Sequence, residues 1–263
     1  RCRNRFPRML NNSGWLQPIT APSYPSYPSY PSYPSPMPVP VLTIDGPSGS
    51  GKGTIARRVA TALGFHLLDS GALYRLVALA GSQQGVAPDD QEGHARVARE
   101  LDAQFGMDGA GEERILLAGT DVTRAIRTEI AGAEASRVAA MPPVRSALLS
   151  RQHAFAQPPG LVADGRDMGT VVFPGSPLKI YLTASPEERA RRRHKQLKDK
   201  GLTVTIAGLS QEIRERDLRD SSRPVAPLRP AADAVILDST GLTIDQVVDQ
   251  VLALARSRLP AIS

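Results

Sequence analysis

Three glycines and a lysine, closely spaced after an apolar run, are the residues of this sequence whose chemistry is easiest to interpret. They lie directly after the run from Val41 to Ile44. Glycines let the backbone turn its amide hydrogens around phosphate oxygens, a following helix adds the positive end of its dipole, and a lysine adds a full charge. The pattern predicts a loop that holds a nucleoside triphosphate through Gly46, Pro47, Ser48, Gly49, Ser50, Gly51, Lys52, Gly53 and Thr54.

The position after the lysine departs from the usual pattern, in which Ser or Thr follows directly. Here Gly53 follows, and a hydroxyl arrives one residue late at Thr54. A hydroxyl next to the lysine normally ligates magnesium. The spacing therefore assigns no protein ligand to Mg²⁺, which we expect to rest mainly on the phosphates and water.

Two further segments place charged or polar residues where a ligand could lie. Ser70, Tyr74 and Arg75 open a predicted helix, where Arg75 could grip a phosphate, although Ser70 could equally be an ordinary N-cap. The charged segment from 164 to 167 follows the apolar run Leu161 to Ala163. Charges at the carboxyl end of a buried strand favour a ligand cleft over a solvated turn.

A run of arginines follows a helix start signal later in the chain. Ser185-Pro-Glu-Glu188 is a capping-box pattern with proline at the first helical position, and the helix then carries Arg189, Arg191, Arg192 and Arg193. The run is either a solvated face or a mobile arm that folds over phosphates. Spacing alone leaves both interpretations open.

The elements that must position these residues are strands alternating with helices. Apolar runs predict strands at 41–44, 66–68, 161–163, 178–182 and 235–237, and Thr243 is predicted to cap a last helix that reaches about Arg258. Such alternation gives a parallel sheet covered on both faces. Short apolar pieces between glycine-rich turns predict an inserted β lobe at about 92–130, and a helix is expected from about Ser210.

Residues 1–38 differ in composition from the rest of the chain. They are rich in arginine and then repeat Ser-Tyr-Pro four times from Ser23 to Pro34, which predicts a disordered or extended segment. An adaptor-binding tail and a transit peptide are both possible. We favour a third interpretation, in which the residues before Met37 are upstream sequence that the protein does without.

Composition narrows the class of protein. The single cysteine, Cys2, lies in the tail, so the body has neither a disulfide nor a cysteine-ligated zinc, which suits a reducing cytoplasm. No run is long enough to span a bilayer. The net charge is +6, but residues 1–36 hold four arginines and no acid, which leaves +2 for the rest and weakens a nucleic-acid interpretation.

Five segments in order resemble the bacterial cytidylate kinases, and the resemblance runs from about Met37 to the C-terminus. The segments are 46–54, Leu68-Asp-Ser-Gly-Ala-Leu-Tyr-Arg75, 163–174, 187–193 and Arg223-Pro-Val-Ala-Pro-Leu228. The resemblance implies an α/β fold with a five-stranded parallel sheet and flanking helices, in a kinase domain at 39–263. The core would be 39–91 and 131–263, the nucleoside-monophosphate lobe about 92–130 and a short helical lid about 186–209.

The resemblance also implies an activity and a role for each matching residue. It implies phosphorylation of CMP and dCMP by ATP with Mg²⁺, in a cytoplasmic enzyme that we expect to be a monomer without nucleic-acid or membrane partners. The arginines that approach the triphosphate would be Arg189, Arg192 and Arg193, acting with Lys52. Ser70, Arg75, Arg166 and Arg223 match positions around the acceptor phosphate, Ser136, Arg145 and Asp167 match positions that read cytosine, and Arg216 and Asp220 match positions near the sugar; Tyr74 is also expected at the substrate.

The expected base contacts agree with the hydrogen-bonding groups of cytosine. A carboxylate and a hydroxyl opposite its amino group, with an arginine opposite its acceptors, would select cytosine over uracil, because uracil presents a carbonyl there. The alternatives are another small-molecule kinase with this loop, and a GTP-binding switch. The switch would need an Asn-Lys-x-Asp motif, and all asparagines of the chain lie in the tail.

Overall fold

The computed structural model describes residues 39–107, 109, 113–199 and 204–259. The predicted tail at 1–38 lies outside them. In chain order the elements are β1 (Val41–Asp45), α1 (Lys52–Leu63), β2 (His66–Asp69), α2 (Ser70–Gln83), α3 (Gln91–Arg99), β3 (Ala103–Met107), β4 (Glu113–Leu117), β5 (Thr120–Asp121), α4 (Glu129–Val138), α5 (Pro142–His153), β6 (Leu161–Gly165), β7 (Leu178–Thr183), α6 (Pro186–Asp199), α7 (Ile206–Ser221), β8 (Val235–Asp238) and α8 (Ile244–Arg258).

A five-stranded parallel sheet in the order β2-β6-β1-β7-β8 forms the centre of the fold. The register pairs Asp45 with Gly165 of β6 and with Tyr181 of β7, so the three strands end at the same edge. The carboxyl edge of a parallel sheet is where α/β proteins bind ligands. The glycine-rich loop after β1 and the charged segment after β6 both leave from this edge.

Apolar side chains pack on both faces of the sheet, as its continuous hydrophobic strands require. On one face α1 and α8 bury residues such as Val59 and Val251, both 0 % exposed, against β1, β7 and β8. On the other face α2 and α5 bury Leu73 and Leu148 in a second apolar cluster. The strands are therefore fixed in place, and the loops at their ends are held by a rigid sheet.

The segment predicted as a β lobe begins with a helix. The helix α3 is capped by Asp90, whose side chain accepts a hydrogen bond from the Gly93 amide at 2.8 Å. The strands β3, β4 and β5 then form an antiparallel sheet of three. The prediction missed this helix because its buried apolar residues, Ala95, Val97 and Ala98, are few and small.

Two helix boundaries differ from those the sequence predicts. Asp69, not Ser70, caps α2, since its side chain accepts from the Ala72 amide at 2.9 Å. The helix α7 begins at Ile206 rather than near Ser210, because Thr205 acts as its N-cap. Among the described residues, no helix is both long enough and apolar enough to cross a membrane.

Candidate active site

A cavity of about 740 Å³ opens at the carboxyl edge of the sheet. It lies between the glycine-rich loop, the ends of β2 and β6, and the helices α4, α6 and α7. Its lining holds five aspartates and ten basic side chains: Lys52, Arg57, Arg58, Arg75, Arg127, Arg145, Arg166, Arg193, Arg216 and Arg223. A cavity with this excess of positive charge is suited to a polyanion.

The loop between β1 and α1 wraps closely against its neighbours. Gly51 caps α1 with φ +89°, a left-handed conformation that glycine adopts without strain. A Cβ at Gly46 would lie 2.1 Å from the carbonyl oxygen of Leu182, so only glycine fits there. Gly46, Pro47 and Ser50 do not border the cavity, whereas the predicted residues Ser48, Gly49, Gly51, Lys52, Gly53 and Thr54 do.

The charges of Lys52, the first residue of α1, and Asp164 interact, and each shifts the pKa of the other. Burial lowers the pKa of Lys52 to about 7, with a further lowering from the Arg166 guanidinium, while Asp164 acts in the opposite direction. Burial raises the pKa of Asp164 to about 6 against the stabilising charge of Lys52. The Asp164 Oδ1 atom is buried without a hydrogen-bond partner, and a Cβ at residue 53 would lie 3.2 Å from its Oδ2. The close carboxylate gives a physical reason for glycine at position 53.

Arginines from three parts of the chain converge on the cavity opposite Lys52. Arg75 donates to the Ile126 carbonyl at 2.5 Å, and Arg166 donates to Asp220 at 3.1 Å. Burial lowers the pKa of Arg216 to about 10, and its Nε is a buried atom with no partner. A Cβ on Gly132 would lie 3.3 Å from Arg216 Nη1 and 3.5 Å from Arg75 Nη2, so this glycine leaves room for two guanidinium groups to approach each other.

A buried ion pair marks the inner end of the cavity. Arg145 and Asp167 form a salt bridge, and the Arg145 guanidinium carbon lies 5.7 Å from the centre of the Tyr74 ring. Burial raises the pKa of Asp167 and raises that of Tyr74 to about 12. Ser136 donates to Asp220 at 3.1 Å, and the cavity also borders both of these residues.

The structure brings together all ten residues that the sequence predicts at the substrate. They are Ser70, Tyr74, Arg75, Ser136, Arg145, Arg166, Asp167, Arg216, Asp220 and Arg223. They come from α2, α4, α5, α7 and the segments after β6 and α7, and up to 153 positions separate them along the chain. Only the fold, with its shared strand edge, makes them neighbours.

The arginines predicted to approach the triphosphate divide into two groups. Only Arg193 borders the cavity. Arg189 is 4 % exposed and donates to the Ser48 carbonyl at 3.0 Å and to Asp217 at 2.6 Å. Arg192 donates to the Ser50 carbonyl at 3.1 Å and to the Ser239 carbonyl at 2.6 Å. In this structure the last two hold the outer side of the glycine-rich loop through its carbonyl groups.

Several residues at the cavity were not singled out by the sequence analysis. Arg127 donates to Asp69 at 2.7 Å and to Glu113 at 2.8 Å, and Arg57 of α1 donates to the same Glu113 at 3.0 Å. This network ties β4 of the inserted segment to the core. Its sequence separations exceed 50 residues for two of the three pairs, and no local pattern reveals them. Asp164 belongs to the charged segment 164–167 that the sequence predicts at a ligand cleft, but the sequence assigned it no role of its own.

In the described part of the chain, no group of three histidine, cysteine, aspartate or glutamate residues is arranged to hold a metal ion. The arrangement can neutralise and align anionic groups, because its many positively charged side chains already line the cavity. Transfer of a group between two bound anions is the chemistry that the geometry favours.

Comparison with known proteins agrees with this geometry. The family "Cytidylate kinase" matches residues 42–257. A curated cytidylate kinase of Stutzerimonas stutzeri (strain A1501) is 61% identical over 218 residues, which cover 82% of this chain and 95% of that protein. Those of Marinomonas sp. (strain MWYL1) and Pseudomonas aeruginosa (strain LESB58) are 58% and 60% identical, and each match covers 81% of this chain and 94% of the relative.

Proposed function

Since this chain belongs to the cytidylate kinase family and phosphorylates CMP and dCMP with ATP, we propose that its basic cavity holds both nucleotides at once. The observation that carries the proposal is the convergence of all ten predicted substrate residues with Lys52 in one cavity. The triphosphate would lie at the loop and the monophosphate beneath the arginines. The γ-phosphoryl group would then pass in line from one to the other.

On the donor side, the loop amides and the N-terminus of α1 would bind the phosphates of ATP, with Lys52 on the phosphoryl group in transit. Arg193 would approach the same phosphates from α6. We assign Arg189 and Arg192 a supporting role in the ligand-free protein, because each donates to a carbonyl of the loop. Their guanidinium groups fix the loop so that its amides stay turned toward the nucleotide.

On the acceptor side, Arg75, Arg166 and Arg223 would surround the 5′-phosphate of CMP. This reaction needs no general base, because the second pKa of a phosphate monoester is about 6 and the acceptor is already mostly a dianion at neutral pH. The barrier comes largely from repulsion between two polyanions. Fixed arginines lower it by neutralising and aligning them.

At the inner end of the cavity, Asp167, Arg145 and Ser136 would read the base. The buried Asp167 carboxylate would accept from the exocyclic amino group of cytosine, whereas uracil would place a carbonyl, a second acceptor, against that carboxylate. A site built to pair a buried polar group discriminates strongly against a ligand that cannot pair it. The structural support is that Asp167 is 3 % exposed and is held by Arg145.

The residues beside Lys52 fit a divalent cation bound together with ATP. Asp164 is a buried carboxylate with one oxygen free of hydrogen bonds, and oxygen is the ligand that Mg²⁺ prefers. We propose that Asp164, directly or through water, and Thr54 at the cavity border hold Mg²⁺. The ion would neutralise charge on the phosphates. The chain's own residues would otherwise bind and align the two nucleotides.

We further propose that the enzyme acts as a cytoplasmic monomer whose catalytic unit is residues 39–263, with a monophosphate-binding lobe at about 92–130 and a lid at about 186–209. The support for this catalytic unit is that its core, lobe and lid all contribute to the cavity lining, the lobe through Arg127 and the lid through Arg193. Light scattering on the purified protein tests the monomer. Removal of residues 1–36 tests whether the catalytic unit needs the tail.

A panel of acceptors tests the proposed use of the cavity. CMP, dCMP, UMP, AMP and small hydroxyl acceptors would each be supplied with ATP and Mg²⁺, and ADP formation measured. We expect CMP and dCMP to be far better acceptors than UMP. Equal rates with UMP would contradict the proposed base contacts, and a better rate with a non-nucleotide acceptor would contradict the proposed site.

A further inference from the structure

Asp45 is a buried acid that lies outside the cavity lining. It is the last residue of β1, directly before the glycine-rich loop, and it is 5 % exposed. Its Oδ1 accepts a hydrogen bond from the Met168 amide at 2.8 Å, and its Oδ2 accepts one from the Gly169 amide at 2.8 Å. Both carboxylate oxygens are thus engaged by the backbone of another segment.

The two amides belong to the start of a short helical turn. Residues Met168–Val172 form a π-helical turn, in which Val171 and Val172 donate to the Asp167 carbonyl. The first amides of a helical turn have no acceptor inside it, and a buried amide without an acceptor is costly. Asp45 supplies those acceptors from the neighbouring strand, so it caps this turn across the sheet.

The capped turn directly follows the residue proposed to read the base. Asp167 immediately precedes the two amides that Asp45 holds, and its side chain borders the cavity. The turn is also packed closely against β1, because a Cβ on Gly169 would lie 2.9 Å from Thr43 Oγ1. A shift of the turn would move the Asp167 carboxylate relative to its partner Arg145.

We propose that Asp45 is a positioning residue for base recognition, which holds the Asp167 carboxylate where it meets the cytosine amino group. The inference rests on the role of Asp167 proposed above. The carboxyl end of β1 would then have two roles, because it leads into the triphosphate loop and also fixes the residue that reads the base. A carboxylate suits the position because it can accept from two amides at once.

An amide side chain of the same size tests this role. Asp45→Asn keeps one acceptor oxygen and places an NH₂ donor against the second backbone amide. We expect its KM for CMP to rise about tenfold and its CMP-over-UMP preference in kcat/KM to fall by a similar factor, because small displacements of an aligned group are costly. Its KM for ATP should stay within about twofold, since the loop amides are unchanged.

Ser176→Ala is the matched control. Ser176 is also buried and also hydrogen-bonds to β1, at the Val41 carbonyl 2.6 Å away, at the opposite end of the strand from Asp45. We expect this variant to lose thermal stability without a change in CMP preference. A purely structural role for Asp45 would make the two variants alike, with no change in preference or with KM for ATP and CMP raised equally, and would overturn the proposal.

Amide hydrogen exchange in the wild-type protein gives a test that depends on neither the variant nor the activity. Met168 and Gly169 should exchange as slowly as the amides of β1. Exchange at the rate of an exposed loop would show that Asp45 does not hold them and would overturn the proposal. Slow exchange in a protein that fails to phosphorylate CMP would instead locate the failure in the proposed function.

Discussion

Lys52 lies among arginines as well as loop amides, and this surrounding sets its protonation. Burial and Arg166 lower its pKa to about 7. A bound triphosphate would raise that pKa, because an anion favours the charged ammonium group. The lysine therefore gains its full charge at the moment when the phosphates arrive.

The first prediction is that ATP binding at pH 8 takes up a proton at Lys52. Above pH 7 the free amine is mostly neutral and becomes protonated in the complex, while at pH 6 it is already charged and uptake vanishes. Calorimetry in buffers of different ionisation enthalpy measures the uptake. Lys52→Met should lose it and lower kcat by about 10²–10³-fold, the range for removing one group that stabilises developing charge.

A control variant distinguishes the effect of the Lys52 charge from the effect of a positive charge elsewhere on the protein. Lys195→Met removes an exposed ammonium group from α6, and it should change neither the proton uptake nor kcat. Equal uptake in the wild type and in Lys52→Met would contradict the assignment.

The second prediction concerns Asp167 and the base. Asp167→Asn keeps the shape of the side chain but presents an amide, which can donate to the carbonyl of uracil. We expect kcat/KM for CMP to fall about 10²-fold, the loss of one buried charged hydrogen bond, while that for UMP stays equal or rises. Steady-state assays with both acceptors measure the ratio. A parallel fall for both nucleotides would mean that Asp167 does not read the base.

At the scale of elements, the helix α6 shows how one run of arginines serves two purposes. Arg189 lies in its first turn, where Gly49 approaches so closely that a Cβ there would be 3.1 Å from the Arg189 Cβ. Arg193, one turn later, borders the cavity. The family resemblance implied Arg189, Arg192 and Arg193 at the triphosphate. Spacing alone left the role of the run open, because it does not tell which turn of a helix lies against the loop.

The third prediction follows from this division. Arg189→Ala leaves Asp217 without its partner and removes a buried hydrogen bond to the loop, so we expect the free energy of unfolding to fall by about 2–3 kcal/mol. Arg193→Ala should change it by less than about 1 kcal/mol, because the ion pair of Arg193 with the half-exposed Glu129 contributes little, while kcat falls more steeply. Denaturant unfolding and single-turnover rates, measured on both variants, separate the two roles. The division would be wrong if Arg189→Ala were the more stable of the two.

The elements were predictable where local signals were strong. Each of the five parallel strands lies within two residues of its predicted position, because an apolar run and a turn signal bound it. The helix α3 was missed, since a glycine and small side chains weaken its pattern. The contacts of Asp45 could not be predicted from the sequence for another reason. In the chain, 123 positions separate it from Met168, and only the completed sheet brings the two residues together.

For the whole molecule, several buried ionisable groups in and beside the cavity have shifted pKa values. Burial raises the pKa of Asp45 to about 7 and that of Asp164 to about 6, and it lowers that of Lys52 to about 7. Each shift means that the charged form is less stable in the folded protein than in the unfolded chain. The site is thus assembled against an electrostatic cost, and bound phosphates would reduce the part of it that falls on Lys52.

The last prediction is a pH dependence of stability that this cost imposes. Between about pH 4 and 7 the folded protein binds more protons than the unfolded chain through Asp45 and Asp164, so its free energy of unfolding should fall as pH rises. Above pH 7 the sign reverses, because the unfolded chain keeps the Lys52 proton up to about pH 10, its ordinary range, and stability should recover. Denaturant unfolding from pH 5 to 9 should show a minimum near pH 7. Asp164→Asn should flatten the acid side and Lys52→Met the alkaline side, whereas a curve with its maximum at pH 7 would contradict the assigned shifts.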